Sequence, residues 1–203
     1  MSTLLILGAG GHGRVVADAA TASGDWARVI ASDRDPARCR GDLISGVSAL
    51  PMEEALSLAD CIHIAVGHAG SRERETAATA GVPLATVMHP KASVSPHAAV
   101  GEGCFIAAQT VVAPGALLGR CVIVNHGAVV DHDVSVGDFS HIAPLVALGG
   151  GVQVGSRVLI GSGASVLPGL CVGDDIVVGA GTLVCRDLSE PGVYAGVPAR
   201  RLK

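Results

Sequence analysis

The chain has 203 residues, 28 of them glycine, with one Trp, one Tyr and two Phe, and a formal net charge of -4 at pH 7. That length allows one large or two small domains, and so few aromatics require a core of aliphatic side chains in a narrow, repetitive space. The charge forms no like-sign block, which argues against a nucleic-acid partner. No window reaches the roughly 18 uninterrupted apolar residues of a membrane span.

The opening MSTLLILGAGGHG lacks the basic stretch and long apolar run of a signal peptide. Thr3–Leu7 is a short apolar run closed by Gly8, which predicts a buried strand. His12–Ser23 carries apolar and small residues at helical spacing. Arg28–Ala31 predicts a second strand, 52–58 a short helix, 61–66 a third strand, 71–80 a helix and 84–87 a fourth strand. Strands alternating with helices imply βαβ units, a parallel sheet and right-handed crossovers. Between the first strand and helix, Gly8-Ala9-Gly10-Gly11-His12-Gly13 matches G-x-G-x-x-G in its required context, and Asp33 follows twenty residues after Gly13. Taken alone this is a dinucleotide-binding fingerprint, with glycines that let the backbone approach a phosphate at a helix N-terminus. The α/β part ends near Val87, about half the size of a two-lobed dinucleotide domain, which disfavours NAD.

From Val94 the pattern changes. Every sixth residue from Val94 through Val100, Ile106 and Val112 to Val178 and Val184 is Val, Ile or Leu, sixteen positions without an insertion. A period of six fits neither a helix nor an alternating strand. It fits a coil of three short strands, with one hexapeptide on each flat side and the repeated aliphatic pointing into a triangular prism. Stacked coils then pair their backbones. Glycine often follows the repeated residue, as at Gly101, Gly119, Gly137 and Gly155, and is read here as relieving strain at a tight corner.

Of eight histidines, His63 lies inside an apolar strand and is read as a core residue, while His68, His89 and His97 carry no further signal. His126, His132 and His141 lie in the repeat. His132 sits between Asp131 and Asp133, and neighbouring carboxylates stabilise imidazolium and make the ring a stronger base. Such a ring can serve as a single general base near neutral pH. Zinc needs about three convergent protein ligands, and these three histidines are not eighteen residues apart and do not stack in one column, so no metal is expected. The six cysteines form no CxxC pair, which reads as reduced thiols in a cytoplasmic protein.

The period-six ladder resembles the hexapeptide-repeat, left-handed β-helix acyltransferase superfamily, and Gly192–Arg200 looks like its usual ending. GAGGHG, the stretch NHGAVVDHD at 125–133 and the following GDFSH resemble the PglD/NeuD-like sugar acetyltransferases of bacterial glycan biosynthesis. The resemblance implies a Rossmann-like nucleotide-sugar-binding domain at 1–90, a left-handed parallel β-helix at 91–187 and a C-terminal tail at 188–203 packing on the helix end. It implies an acetyl-CoA-dependent N-acetyltransferase acting on a UDP- or GDP-linked amino sugar. His132 would be the general base and Asp133, where the family often has Glu, its enhancer. Substrate binding would fall to Gly10, Gly11, His12, Gly13, Ser32 and Asp33, with Gly10, His12 and Gly13 at the pyrophosphate and Asp33 at the ribose or base. Gly67 and Arg72 would be neighbours, although Arg72 reads equally well as a solvated helix residue. Acetyl-CoA would lie between neighbouring subunits of a homotrimer, against Asn125, His141, Ser162 and Ala180.

Three other readings stay open from sequence. One is O-acetylation of a sugar of the sialic acid type. Another is a non-catalytic sensor that binds a nucleotide through Gly8–Gly13. The third is an NAD-linked oxidoreductase, for which no second catalytic lobe is visible.

Overall fold

A computed structural model describes residues 2–202 and divides into two compact units, 1–90 and 91–203. The first unit is built on a three-stranded parallel sheet of β1 (Thr3–Leu7), β2 (Arg28–Ser32) and a later strand at Cys61–Ile64, with β1 in the centre. Leu4, Leu5, Ile6 and Leu7 are all buried, as expected of a central strand covered on both faces. Helix α1 (Gly11–Ser23) leaves β1 through the glycine-rich turn and buries Val16, Ala17, Ala19 and Ala20; it stops at Gly24, whose φ of 71° suits glycine. Between β2 and helix α2 (Met52–Leu58) lie two short antiparallel strands, β3 (Asp42–Ile44) and β4 (Val47–Ser48), that no sequence signal announces. The Cys61–Ile64 strand, β5, leads to helix α3 (Ala69–Ala78).

The fourth strand expected at 84–87 does not form. Leu84 makes only an isolated bridge to Ile62, and the extended pair is Val87–Met88. Pro83 precedes this stretch and has no N–H to give a ladder. Thr3–Leu7 and Met52–Leu58 form with the expected bounds, and the other elements shift by a residue or two at their ends; α3 begins at Ala69 because His68 caps it, its Nδ1 accepting from the Ser71 N–H. His63 is 1 % exposed, with its Nδ1 bonded to the Ala85 carbonyl.

The second unit is a parallel β-helix. All sixteen ladder residues end short strands, and from Ile106 onward all are buried. Strands pair in parallel with those eighteen residues away, so that Val112 faces Val94 and Val130, and Val124 faces Ile106 and Ile142. Three flat faces result. One carries Ser93–Val94, Val111–Val112, Val129–Val130, Ala147–Leu148, Ser165–Val166 and Leu183–Val184. The second carries Ala99–Val100 through Cys171–Val172. The third carries Phe105–Ile106 through Ile176–Val178 and continues into Gly192–Ala195, which pairs in parallel with Ile176–Val178. The interior is one column of Val, Ile, Leu, Ala and Cys closed by Tyr194 and Ala199. Each fully buried aliphatic stabilises by about 1.5–3 kcal/mol relative to exposure.

Corners connect the faces, and every one from residue 103 to 181 places its third residue at positive φ, at steps of six. Seven of these are glycine and seven are not: Gln109, Cys121, Asp133, Phe139, Leu145, Arg157 and Asp175. The glycines that follow ladder residues are a different set, and none of Gly101, Gly119, Gly137, Gly155 or Gly161 has positive φ. Their constraint is space rather than backbone conformation. A Cβ on Gly101 would lie 2.5 Å from the Gly119 carbonyl oxygen, and one on Gly137 would lie 2.6 Å from the Gly155 carbonyl carbon. Coils simply approach too closely there for a side chain.

Gly137→Ala is expected to fold with about 1–3 kcal/mol less stability, the usual cost of overpacking against a backbone that cannot yield, measurable by urea unfolding. A second expectation concerns His63, whose pKa burial lowers to about 4, with the Ala85 bond opposing and the Arg72 charge assisting. The folded state keeps this ring neutral, whereas the unfolded chain binds a proton below the ordinary value of 6.5. Stability is therefore present above 6.5 and is lost as pH falls toward 4, by up to about 3 kcal/mol. His63→Gln should flatten that slope in unfolding curves taken across the interval.

Candidate active site

The corner between Val129–Val130 and Ser135–Val136 holds Asp131, His132 and Asp133. The Asp131 carboxylate accepts the His132 backbone N–H at 2.7 Å and so stiffens the corner from its first residue. Asp133 occupies the positive-φ position, with φ 60°. This left-handed residue turns its side chain back onto its predecessor, and its Oδ2 lies 2.9 Å from His132 Nδ1. A carboxylate only accepts, so Nδ1 carries the proton and Nε2 is the basic nitrogen. The hydrogen bond to Asp133 raises the His132 pKa first and the Asp131 charge second, against a small desolvation effect, with the Asp133 charge adding to the rise. Both side chains of the pair are exposed, at 62 % and 73 %. The geometry is that of a solvent-facing general base with its second nitrogen held.

One hexapeptide earlier, the corner at 125–128 repeats part of this arrangement. Asn125 Oδ1 accepts the His126 N–H at 2.9 Å, as Asp131 does for His132. That contact fixes the amide, so Nδ2 points to His141 Nε2, 3.3 Å away on the preceding face. In the slot of Asp133 this corner has Gly127, so His126 lacks the carboxylate that orients His132. Ser162 and Ala180 fall in the His126 column, two and three coils further on, and Gly181 N–H donates to the Ser162 carbonyl. The four residues expected at acetyl-CoA thus gather on one corner and the face leading into it, whereas His132 and Asp133 occupy the next corner of the same coil.

In the first unit, Gly13 packs so closely that a Cβ would overlap the Gly8 carbonyl oxygen. This is the helix-against-strand approach for which the third glycine of the motif is needed. Helix α1 has no side-chain cap and no acidic residue in its first turn, which leaves its N-terminal N–H groups suited to an anion. Asp33 Oδ2 accepts from Ala9 N–H at 2.8 Å and Oδ1 from Asp35 N–H at 2.9 Å, so it ties the end of β2 to the glycine-rich turn. Arg38, unremarked in the sequence, has Nη1 3.7 Å from Asp33 and beside Gly10, which puts a cation at that turn. A cavity of about 400 Å³ opens next to it, lined by Asp33, Arg34, Pro36, Cys39, Arg40, Pro51 and Met52.

Two of the expected binding residues face inward. Ser32 is buried and donates its hydroxyl to the Leu50 carbonyl at 2.9 Å. Arg72 is 1 % exposed, not a solvated helix residue; its guanidinium donates to the carbonyls of Val66 and Gly67 at 2.7 and 2.9 Å. It thereby shapes the loop after β5 that presents Gly67. Among the described residues no cluster of three His, Cys, Asp or Glu is placed to hold a metal ion, and no helix is long and apolar enough to cross a membrane.

A nucleotide-type α/β unit joined to a parallel β-helix with a carboxylate-held histidine defines an acyltransferase of the hexapeptide-repeat class. Residues 3–77 match the family model of the PglD N-terminal domain. The whole chain superimposes on the acetyltransferase domain of PglB from Neisseria gonorrhoeae FA1090 with a TM-score of 0.92 and 35% identity, covering 100% of both chains. That domain has also been solved with acetyl coenzyme A, at 36% identity over 99% of both chains and the same TM-score. A histidine-to-alanine variant of GDP-perosamine N-acetyltransferase from Caulobacter crescentus, in complex with CoA and GDP-perosamine, matches at TM-score 0.91 and 35% identity, over 100% of this chain and 98% of that one. The chain belongs to the PglD/NeuD-like sugar acetyltransferases, and it is an acetyltransferase that uses acetyl-CoA.

Asp133→Asn should move the titration of the His132 ring downward, as followed by NMR. The ring's pKa is raised above 6.5, and removing the largest contributor returns it toward 6.5. A pH series on the variant and the parent checks this.

Proposed function

We propose that the protein N-acetylates the amino group of a nucleotide-linked amino sugar, with His132 as general base. The observation that carries this reading is the His132–Asp133 pair, which leaves Nε2 as the basic nitrogen at a solvent-facing corner. The acceptor amine gives its proton to Nε2 as its nitrogen attacks the acetyl carbonyl. The new C–N bond replaces the C–S bond, and the sulfur departs as the CoA thiolate and takes up a proton. Acetyl-CoA supplies an activated acyl group, so the chain needs to position two substrates and move one proton. Asp133 holds the ring in the required tautomer.

The nucleotide would sit in the first unit. Its pyrophosphate would meet the N–H groups at Gly11, His12 and Gly13, with Arg38 beside them, and its nucleoside would enter the cavity beyond Asp33. Asp33 is read as the residue that sets the turn and the cavity wall, with Ser32 behind it. The GDP-perosamine complex of the Caulobacter relative supports a nucleoside diphosphate sugar as the ligand class. Acetyl-CoA is assigned to Asn125, His141, Ser162 and Ala180 between neighbouring subunits of a homotrimer, a reading supported by aliphatic side chains such as Val111, Leu117 and Val129 turned outward on the β-helix faces. The enzyme is taken to work in the cytoplasm.

Purified protein given acetyl-CoA and a panel of GDP- and UDP-amino sugars should release free thiol with at least one of them. His132→Ala should lower kcat by about 100-fold or more, the scale of a lost general base. Retention of full turnover by that variant would remove His132 from the mechanism. Thiol release with a free sugar and no competition by GDP or UDP would favour O-acetylation without a nucleotide handle.

A further inference from the structure

His132 lies at the second position of its corner, and eighteen residues later the same position is Gly150. A Cβ built on Gly150 would overlap His132 Nε2, lie 2.6 Å from Cε1 and 3.0 Å from Cδ2. All three of its nearest neighbours are atoms of that one imidazole. The ring therefore occupies the space that a side chain at 150 would fill. Separately, the Gly151 N–H donates to the His132 carbonyl at 2.9 Å and locks the two corners in register.

The repeat shows that this corner position does not itself demand glycine. Steps of eighteen along the same column give Pro96, Pro114, His132, Gly150 and Pro168. Proline, with its fixed φ near −65°, is accepted above and below. Gly150 also has no positive φ, so alanine is conformationally allowed there. What distinguishes position 150 is the imidazole in the coil before it. On the other side, Gly115, one coil before Asp133, would carry a Cβ that overlaps Asp133 Oδ1. The His132–Asp133 pair is thus seated between two glycines, one for each side chain.

We propose that Gly150 is a positioning residue of the acetyl-transfer reaction: its missing side chain is the seat that fixes the His132 imidazole in line with Asp133. This rests on the assignment of His132 as base. Any side chain at 150 lifts or tilts the ring, and Nε2 leaves the place from which it takes the acceptor's proton. A displacement of about 1 Å in a reacting group costs on the order of 100-fold in rate. The loss should fall on kcat and leave substrate affinity, since uniform binding does not pass through this ring.

The test is Gly150→Ala in the full chain, compared with His132→Ala and with the double variant. Expected for Gly150→Ala is a kcat lowered by about 100-fold with KM for acetyl-CoA and for the sugar nucleotide changed by less than about twofold. The double variant should melt where His132→Ala melts, because with the ring gone the added methyl has nothing to strike. A folded Gly150→Ala with kcat within about threefold of the parent overturns the proposal. So does a double variant destabilised as much as Gly150→Ala alone, since glycine would then be demanded by the backbone. If Gly150→Ala fails to fold while the double variant folds, the clash with the ring is established directly. An active His132→Ala would instead sink the assignment of the base, an outcome distinct from an active Gly150→Ala beside an inactive His132→Ala.

Discussion

The structure of the second unit depends on one constraint, the backbone pairing of each coil with the coil eighteen residues away. Gly119 N–H donates to the Val136 carbonyl at 2.8 Å, Gly137 N–H to Val154 at 2.8 Å and Gly155 N–H to Val172 at 2.7 Å, one coil after another. Because coils meet backbone to backbone, inward positions admit only aliphatic and small side chains, and the residue after each ladder position often admits none. The buried Ser140 side chain serves the same pairing: it donates to the Gly155 carbonyl at 2.7 Å and accepts from the Val158 N–H at 2.9 Å. Unpaired, those groups would cost about 1–3 kcal/mol each.

Chemistry enters only where the frame leaves freedom, at the corners. The same slots that hold Asp131 and His132 hold Asn125 and His126 one hexapeptide earlier, and both corners use a side-chain oxygen to accept the next N–H. The difference lies in the third position. Asp133 supplies a carboxylate at φ 60°, whereas Gly127 supplies none. One side chain in the left-handed region thus separates a histidine whose tautomer is fixed from one whose tautomer is not. A non-glycine residue in that region costs about 1–2 kcal/mol, and the β-helix carries seven of them. The stacked coils hold these conformations in place.

Much of this was legible in the amino-acid sequence because a period of six has one structural solution. The ladder from Val94 to Val184 placed sixteen strands of the β-helix, though not the closing strand at Gly192–Ala195, and His132 with its two aspartates stood out against Val, Ala and Gly. What was not legible depended on eighteen-residue neighbours or on local packing. Gly150 looked like one more corner glycine, although adding eighteen to 132 would have found it. The following-glycine positions were visible, but their cause, close coil approach, could not be told from turn strain without coordinates. In the first unit, Ser32 and Arg72 had the right residue types near the right strand ends, and burial turned both inward. Arg38 and the cavity behind Asp33 arise from an irregular segment with no periodicity to read.

The eighteen-residue register has a further consequence for how such a chain can change in length. A whole added coil extends the prism and leaves every existing contact intact. A single inserted residue ahead of His132 would instead rotate all that follows by one position, turning ladder valines to solvent and corner residues into the interior. The β-helix can therefore grow in units of a coil and loses its core when it grows by less.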